Sequence, residues 1–478
     1  MKWKQWIALG VLTSSALAGA MMLTGCGEIP ETQAPTVLTE EAAPAAPVQP
    51  VQAVEPQPAQ IRTDLVELEI TDASPSHLKV RFQVLKDPET TETTQSGPIT
   101  LEKQAGEGWE PLEKITDLPE VPADPVAPAG KGYWYDRWTD FTRDYGLLSP
   151  GVYRIHWQLL RDQEPVVFPF SILPREDPEE ARAVERILES LNQLRQKDYD
   201  ISAVFSRTGE PDDCRRYLRS GKDRLQVGYR QEGGQPVPFQ GGMLRDGIAY
   251  LLKHEDINTN DSPIYGWEPT LLLPPGIRLE GWMPLMDPLE TVEFTKITPE
   301  LIRCRAQLPS YDPDSPEPYR ETSYEFDGSG ALTAIRSCTV DYARNHHDSY
   351  DEMKSYEDME ILESSKALQV IHDQKEAKPR PVSWAQDKAE QQAASLTFRN
   401  TEAQPVTSAI QALERAKAEC TVKFDGTMVY YDPEAGIWKL EFQQFYGLQG
   451  YQYIYLDDQG VTQMIVNAGP KDPWSPEE

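Results

Sequence analysis

From Leu65 onward most of the chain alternates apolar and polar residues with a period of two, in short runs separated by clusters of Pro, Gly, Asp and Ser. Successive side chains of a strand point to opposite faces, so such runs fold as half-buried strands, and short turn-rich gaps join them antiparallel. LVELEI (65–70), HLKVRFQVL (77–85), ITLEKQ (99–104), YRIHWQLL (153–160) and VVFPFSIL (166–173) predict an antiparallel β-sandwich. A second series follows: YDISAVFSR (199–207), CRRYLRS (214–220), RLQVGYR (224–230), GMLRDGIAYLLK (242–253), ETVEFTKIT (290–298), LIRCRAQL (301–308), YRETSYEFD (319–327) and ALTAIRSCTVDY (331–342). Asp327-Gly328-Ser329-Gly330 is a hairpin turn between the last two.

The period changes once between the two series. After LPREDPEEA, Val184, Ile187, Leu188, Leu191 and Leu194 fall on one face of a helix. Asp177 is positioned to cap it, Pro178 suits its first turn, and Glu179 and Glu180 oppose the positive end of its dipole. Residues 357–378 read as a strand and a charged linker, and Pro379 and Pro381 mark a further boundary. Beyond it, Trp384 to Ala394 is a helix candidate and Pro405-Val406-Thr407 opens a second, with Val406, Ala409, Ile410, Leu413 and Ala416 as its stripe. Strands are expected at 420–431, 436–445 and 451–467, the last folded at Asp458-Gln459-Gly460.

The N-terminus is of another kind. A basic start, Met1 to Lys4, precedes an apolar stretch from Trp6 to Leu23, the pattern of a secretory leader. Its end, Leu23-Thr24-Gly25-Cys26, resembles the bacterial lipobox, which implies that the Cys26 thiol carries a lipid and becomes the mature N-terminus. A plain transmembrane anchor fits less well, because the run is at the short limit for a span and no basic residues follow it. Residues 27–60 are rich in Pro, Ala, Glu and Gln without apolar periodicity and predict an extended spacer. The expected organisation is a signal peptide at 1–25, lipidated Cys26 with a disordered stalk at 26–60, a β-sandwich at 61–174, an α+β region at 175–378 and a small α+β region at 379–478. The fold class is thus multidomain, all-β plus α+β.

Three resemblances refine this expectation. Tyr145-Gly146-Leu147-Leu148-Ser149-Pro150-Gly151-Val152-Tyr153, with LEKQAGEGWEPL (101–112), resembles bacterial immunoglobulin-like domains of clostridial surface proteins and of membrane metallopeptidases of the β-lactam-sensor type. In such a sandwich the Tyr153 hydroxyl bonds back to the preceding corner. One long helix followed by a meandering sheet resembles the lipoprotein-carrier fold, a curved half-barrel around a helix, which implies an apolar groove. The C-terminal order of helix and strands, with IWKLEF and YIYLDDQGVTQMI, resembles PepSY-like and cystatin-like modules and implies an interaction unit.

Charge and chemistry exclude more than they assign. Seventy-seven acidic against 46 basic residues give a net charge of −31, which repels nucleic-acid backbones. No nucleophile motif of the G-x-S-x-G or H-E-x-x-H kind occurs. His346, His347 and Asp348, followed by Asp351, Glu352 and His372, are the densest set of potential metal ligands, but neighbouring histidines at a strand end point apart, and a solvated loop is expected. Asp256, Asn258, Asn260 and Asp261 echo the opening of a calcium loop, yet Asp261 stands where glycine is needed and Glu268 falls one residue late. Asp312, Asp314 and Glu317 read as a proline-stiffened loop. Cys214, Cys304, Cys338 and Cys420 are expected mainly as buried free thiols, with one disulfide among the first three as the alternative; the strand at 319–327 separates Cys304 from Cys338 beyond bridging distance. Tyr133, Trp134, Tyr135 and Trp138 are expected mainly to pack in the sandwich core.

The expectation is therefore no catalytic residues, no metal and no cofactor, with lipid attachment at Cys26. The chain reads as a membrane-anchored extracytoplasmic lipoprotein, a binding, sensing or scaffold protein rather than an enzyme. Its partners would be the membrane through the anchor and an envelope protein; the alternative is carriage of a lipid or other hydrophobic ligand by the 175–378 region.

Overall fold

The computed structural model describes residues 60–468 apart from short internal stretches, the longest being 86–91, 116–124, 255–263, 391–402 and 444–450. It is dominated by antiparallel β-sheet, as the alternating runs require. Among the described residues no helix is long and apolar enough to cross a membrane.

Two four-stranded sheets open the structure. One orders its strands Gln60–Arg62, Val66–Ala73, His77–Val84 and Trp134–Asp140; the other runs Val166–Ile172, Gly151–Trp157, Ile99–Ala105 and Gly108–Pro111. Val66, Leu68, Leu78, Val80 and Phe82 from the first bury into the same core as Leu101, Tyr153, Ile155, Phe168 and Phe170 from the second. The Tyr153 hydroxyl donates to the Ser149 carbonyl at 2.6 Å, closing the corner that Pro150-Gly151 turns. Trp134 and Trp138 correct the expectation of core packing: their strand is an edge, both point outward at 48% and 41% exposure, and Tyr135 between them turns inward against Phe82.

Helix α1 (Pro178–Gln196) begins as its residues dictate, with the Asp177 carboxylate accepting from the backbone of Glu179 and Glu180. Its stripe, Ala183, Val184, Ile187, Leu188 and Leu191, is buried; each larger apolar side chain contributes roughly 1.5–3 kcal/mol. It lies on an eleven-stranded antiparallel sheet. In space the sheet starts at Ile264–Thr270 and passes through Ile248–His254, Gln235–Arg245, Asp223–Glu232 and Asp213–Ser220 to Tyr199–Arg207. There it meets its last strand, Tyr350–Leu362, and continues through Leu332–Arg344, Tyr319–Phe326 and Leu301–Gln307 to Val292–Ile297. Two meanders are therefore joined by pairing the first strand with the last. The run 242–253 is two strands, not one, because Asp246 and Gly247 both take positive φ, 54° and 79°, and turn the chain back. Helix α2 (Ala367–His372) occupies part of the expected linker, burying Ala367 and Ile371 against the first meander.

The last region is a five-stranded sheet ordered Arg380–Pro381, Gly426–Asp432, Ile437–Gln443, Tyr451–Asp457 and Thr462–Ala468. Helix α3 (Trp384–Glu390) sets Trp384 on Tyr455 on one face; helix α4 (Ala409–Lys417) buries Ala412, Leu413 and Ala416 against Val429, Leu440 and Ile454 on the other. Ser408, not the Pro405 turn, caps α4, and Cys420 lies in the connection after that helix instead of opening a strand, which starts at Gly426.

Packing is continuous across residue 174. Met286 exchanges hydrogen bonds with the Ser76 hydroxyl, and the Asn192 side chain both donates to and accepts from the Leu147 backbone. Val429 of the last sheet donates its N–H to Glu268 at 2.8 Å, and Thr427 shares a hydroxyl contact with Thr270.

Candidate functional site

The register of the large sheet sorts one face into an apolar half and a polar half. Pairing aligns Ala203, Met359, Ile335 and Tyr324 in one cross-strand row, all buried beneath α1 and the segment 279–289. Trp282, Met283, Met286 and Leu289 of that segment fill the space beside the helix, and Trp282 meets Tyr199 edge-on at 5.3 Å. What remains there is a cavity of about 30 Å³.

Two residues further along the strands, the chemistry changes. Asp213, Phe205, Glu357, Ser337 and Thr322 form the next row; Arg207, Ser355, Thr339 and Arg320 form the one after. Together with Glu210, Ser206 and Tyr356, all of these except Thr322 line an open cleft of about 310 Å³. Its charges are mostly answered from the rim. Arg320 holds Asp287 through two hydrogen bonds of 2.5 and 3.1 Å, so the segment that plugs the apolar half also borders the cleft. Arg215 reaches Asp213 Oδ2 at 2.7 Å and lies over the Phe205 ring at 4.9 Å, while Arg207 pairs with Glu210.

Two acceptors are left over. Asp213 Oδ1 is buried without a hydrogen-bond partner. Glu357 forms no hydrogen bond or ion pair among the described residues; burial raises its pKa, and Arg320 and Arg215 offset only part of that rise. Hydroxyls of Ser337, Thr339 and Ser355 complete a surface suited to a small polar ligand. The thiols beside it are poor nucleophiles: burial pushes Cys304 up to about 12 and Cys214 to about 11.

The sequence candidates fall elsewhere. Cys26, His346, His347, Asp348, Tyr133 and the segment 256–261 lie outside the described residues. His372 is not drawn toward Asp351 or Glu352; it pairs with Asp223 at 2.8 Å, and Glu352 pairs with Lys354. His372, Asp223 and Asp246 bring three possible donors together, one fewer than a closed zinc site, and Asp223 already accepts from His372 and from the Asp246 backbone. Asp312 accepts from the Tyr350 hydroxyl and the Asp314 backbone, as a stiffened loop would. All four described cysteines are free, and the strand Tyr319–Phe326 stands between Cys304 and Cys338. Glu357, Asp213 and Arg320 went unnoticed because each belongs to an unremarkable strand run, and only register aligns them.

No family model matches this chain, and no curated protein matches it.

Proposed function

We propose that this protein is a lipid-anchored binding or scaffold protein of the outer face of the cell membrane, with the polar cleft as its ligand site. Cys26 supplies the anchor, residues 27–60 the spacer, and three modules bounded at 61–174, 175–378 and 379–478 the body. We read these modules as an immunoglobulin-like sandwich, a carrier-like helix and sheet, and a PepSY- or cystatin-like unit. Supporting the first is the Tyr153 to Ser149 corner; supporting the second is the order of one long helix and a meandering sheet.

The observation that carries the reading is the filling of the apolar half of the sheet face by Trp282, Met283, Met286 and Leu289. A carrier of hydrophobic ligands requires a dry apolar cavity of several hundred Å³, whereas the open volume lies in the charged half. Carriage of a lipid is the second reading and would require the 279–289 segment to swing out.

Metabolic labelling with a palmitate analogue tests the anchor. The wild-type chain takes label and sediments with membranes, and Cys26→Ala takes none and is released; equal labelling of both removes the anchor. Organic extraction of the purified full chain tests the site, since stoichiometric lipid would place the carrier reading first.

A further inference from the structure

We infer that the polar cleft binds an aliphatic ammonium group at Glu357, with a second hydrogen-bond donor of the same ligand reaching Asp213 Oδ1 across the Phe205 ring. This rests on the cleft being the ligand site.

The argument is one of unanswered acceptors. Arg320, Arg215 and Arg207 are each already paired, with Asp287, Asp213 and Glu210, so none offers an unshared charge to an anion. Among the described residues Glu357 is the one charged side chain lining the cleft with no ion pair, and Asp213 Oδ1 is a buried acceptor with no donor. Both lack donors, and a ligand that fills them must bring its own. An ammonium brings three and neutralises the remaining charge.

Spacing fixes the length. Asp213 faces Phe205 and Phe205 faces Glu357 in adjacent strands, so the Cα positions that carry the two carboxylates stand two interstrand spacings apart, about 9–10 Å. A hydrogen bond at each end leaves roughly 3–5 Å between donors held in line with the carboxylates, and more where they sit above them, the span of a short alkyl chain. Phe205 lies between them as an apolar floor, and the exposed Tyr356 is at the margin. The net charge of −31 raises the local concentration of cations around the whole chain. Two sources share this chemistry: a free aliphatic diamine or amino alcohol, and the side chain of a lysine presented by a protein.

Calorimetric titration of the purified full chain with 1,5-diaminopentane, Nα-acetyl-lysine methylamide, 1,5-pentanediol and glutarate tests it. Saturable binding of at least one amine, with none for the diol or glutarate, is expected. Glu357→Gln then weakens binding by about tenfold or more, as the loss of a charged hydrogen-bond partner does. Asp213→Asn, which exchanges one acceptor for a donor, weakens it as well, and circular dichroism verifies that each variant folds. Preference for the diaminopentane points to a free amine, and preference for the lysine amide points to a protein partner. Amine binding unchanged in both variants overturns the assignment. Binding of glutarate or the diol in place of the amines overturns the ammonium while leaving the cleft a ligand site. Absence of binding by all four below about 10 mM overturns both.

Discussion

Glu280 meets a cluster of three guanidinium groups at the C-terminal end of α1. It accepts from Arg195 at 2.8 Å and Arg224 at 3.3 Å, with Arg219 at 3.7 Å. Arg195 and Arg224 are 3% and 0% exposed, and the carboxylate itself is 8% exposed, so solvent cannot substitute for it. Arg195 also donates to the carbonyl of Arg143, which ties the C-terminal end of α1 to the first pair of sheets. Glu280→Gln keeps the shape and one acceptor but removes the charge that these buried guanidinia share. Removing one partner of a buried ion pair costs about 3–5 kcal/mol. With a urea dependence near 2–3 kcal/mol per molar, the unfolding midpoint should fall by about 1–2 M. Tryptophan fluorescence reports it, because Trp282 lies two residues away and is 1% exposed. Arg336→Ala is the matched control: Arg336 meets Glu325, Asp358 and Glu360 on an exposed patch, where such pairs contribute about 0–1 kcal/mol. If Glu280→Gln loses no more than that control, the reasoning that burial makes this cluster indispensable is wrong.

Four further outcomes are expected. Tyr153→Phe removes the hydroxyl bond to Ser149 and destabilises by about 0.5–1.5 kcal/mol in equilibrium unfolding, whereas an unchanged midpoint would mean the corner is held by packing alone. Glu357 has a raised carboxyl pKa because it is buried, so the folded chain takes up its proton before the unfolded chain does. Stability attributable to it rises as pH falls through its folded value and is complete below about 4.5, and Glu357→Gln should flatten that portion of the pH–stability curve. Cys304 and Cys214, pushed up to about 12 and 11, should resist a thiol reagent at pH 8 in the native chain and react after unfolding; fast native labelling would contradict their burial. Trp138→Ala should change stability by no more than about 0.5–1 kcal/mol despite the size of the side chain, because its ring is 41% exposed on an edge strand.

Local signals read well where a residue acts on its neighbours in sequence. Asp177 caps α1, Asp327 accepts from the backbone of Ser329 and Ala331 in its hairpin, and Tyr153 bonds four residues back. The Asp246-Gly247 turn is equally legible as a dipeptide, although it sits within an apolar run. Exposure read less well. Trp134 and Trp138 look like core residues by composition and face solvent because their strand has a neighbour on one side only.

By itself, then, the alternation from Leu65 onward determined that this chain builds antiparallel sheet, the stripe from Val184 to Leu194 determined one helix upon it, and the turn residues determined most reversals. These follow from side-chain geometry over a few residues, which any chain with this pattern obeys. The pairing of the first strand of the large sheet with its last, the plugging of its apolar half by residues 279–289, and the alignment of Asp213, Phe205 and Glu357 in a single row were decided only by tertiary structure. Strand register depends on contacts between residues more than a hundred positions apart, and shifting one strand by a single residue would turn Glu357 to the opposite face.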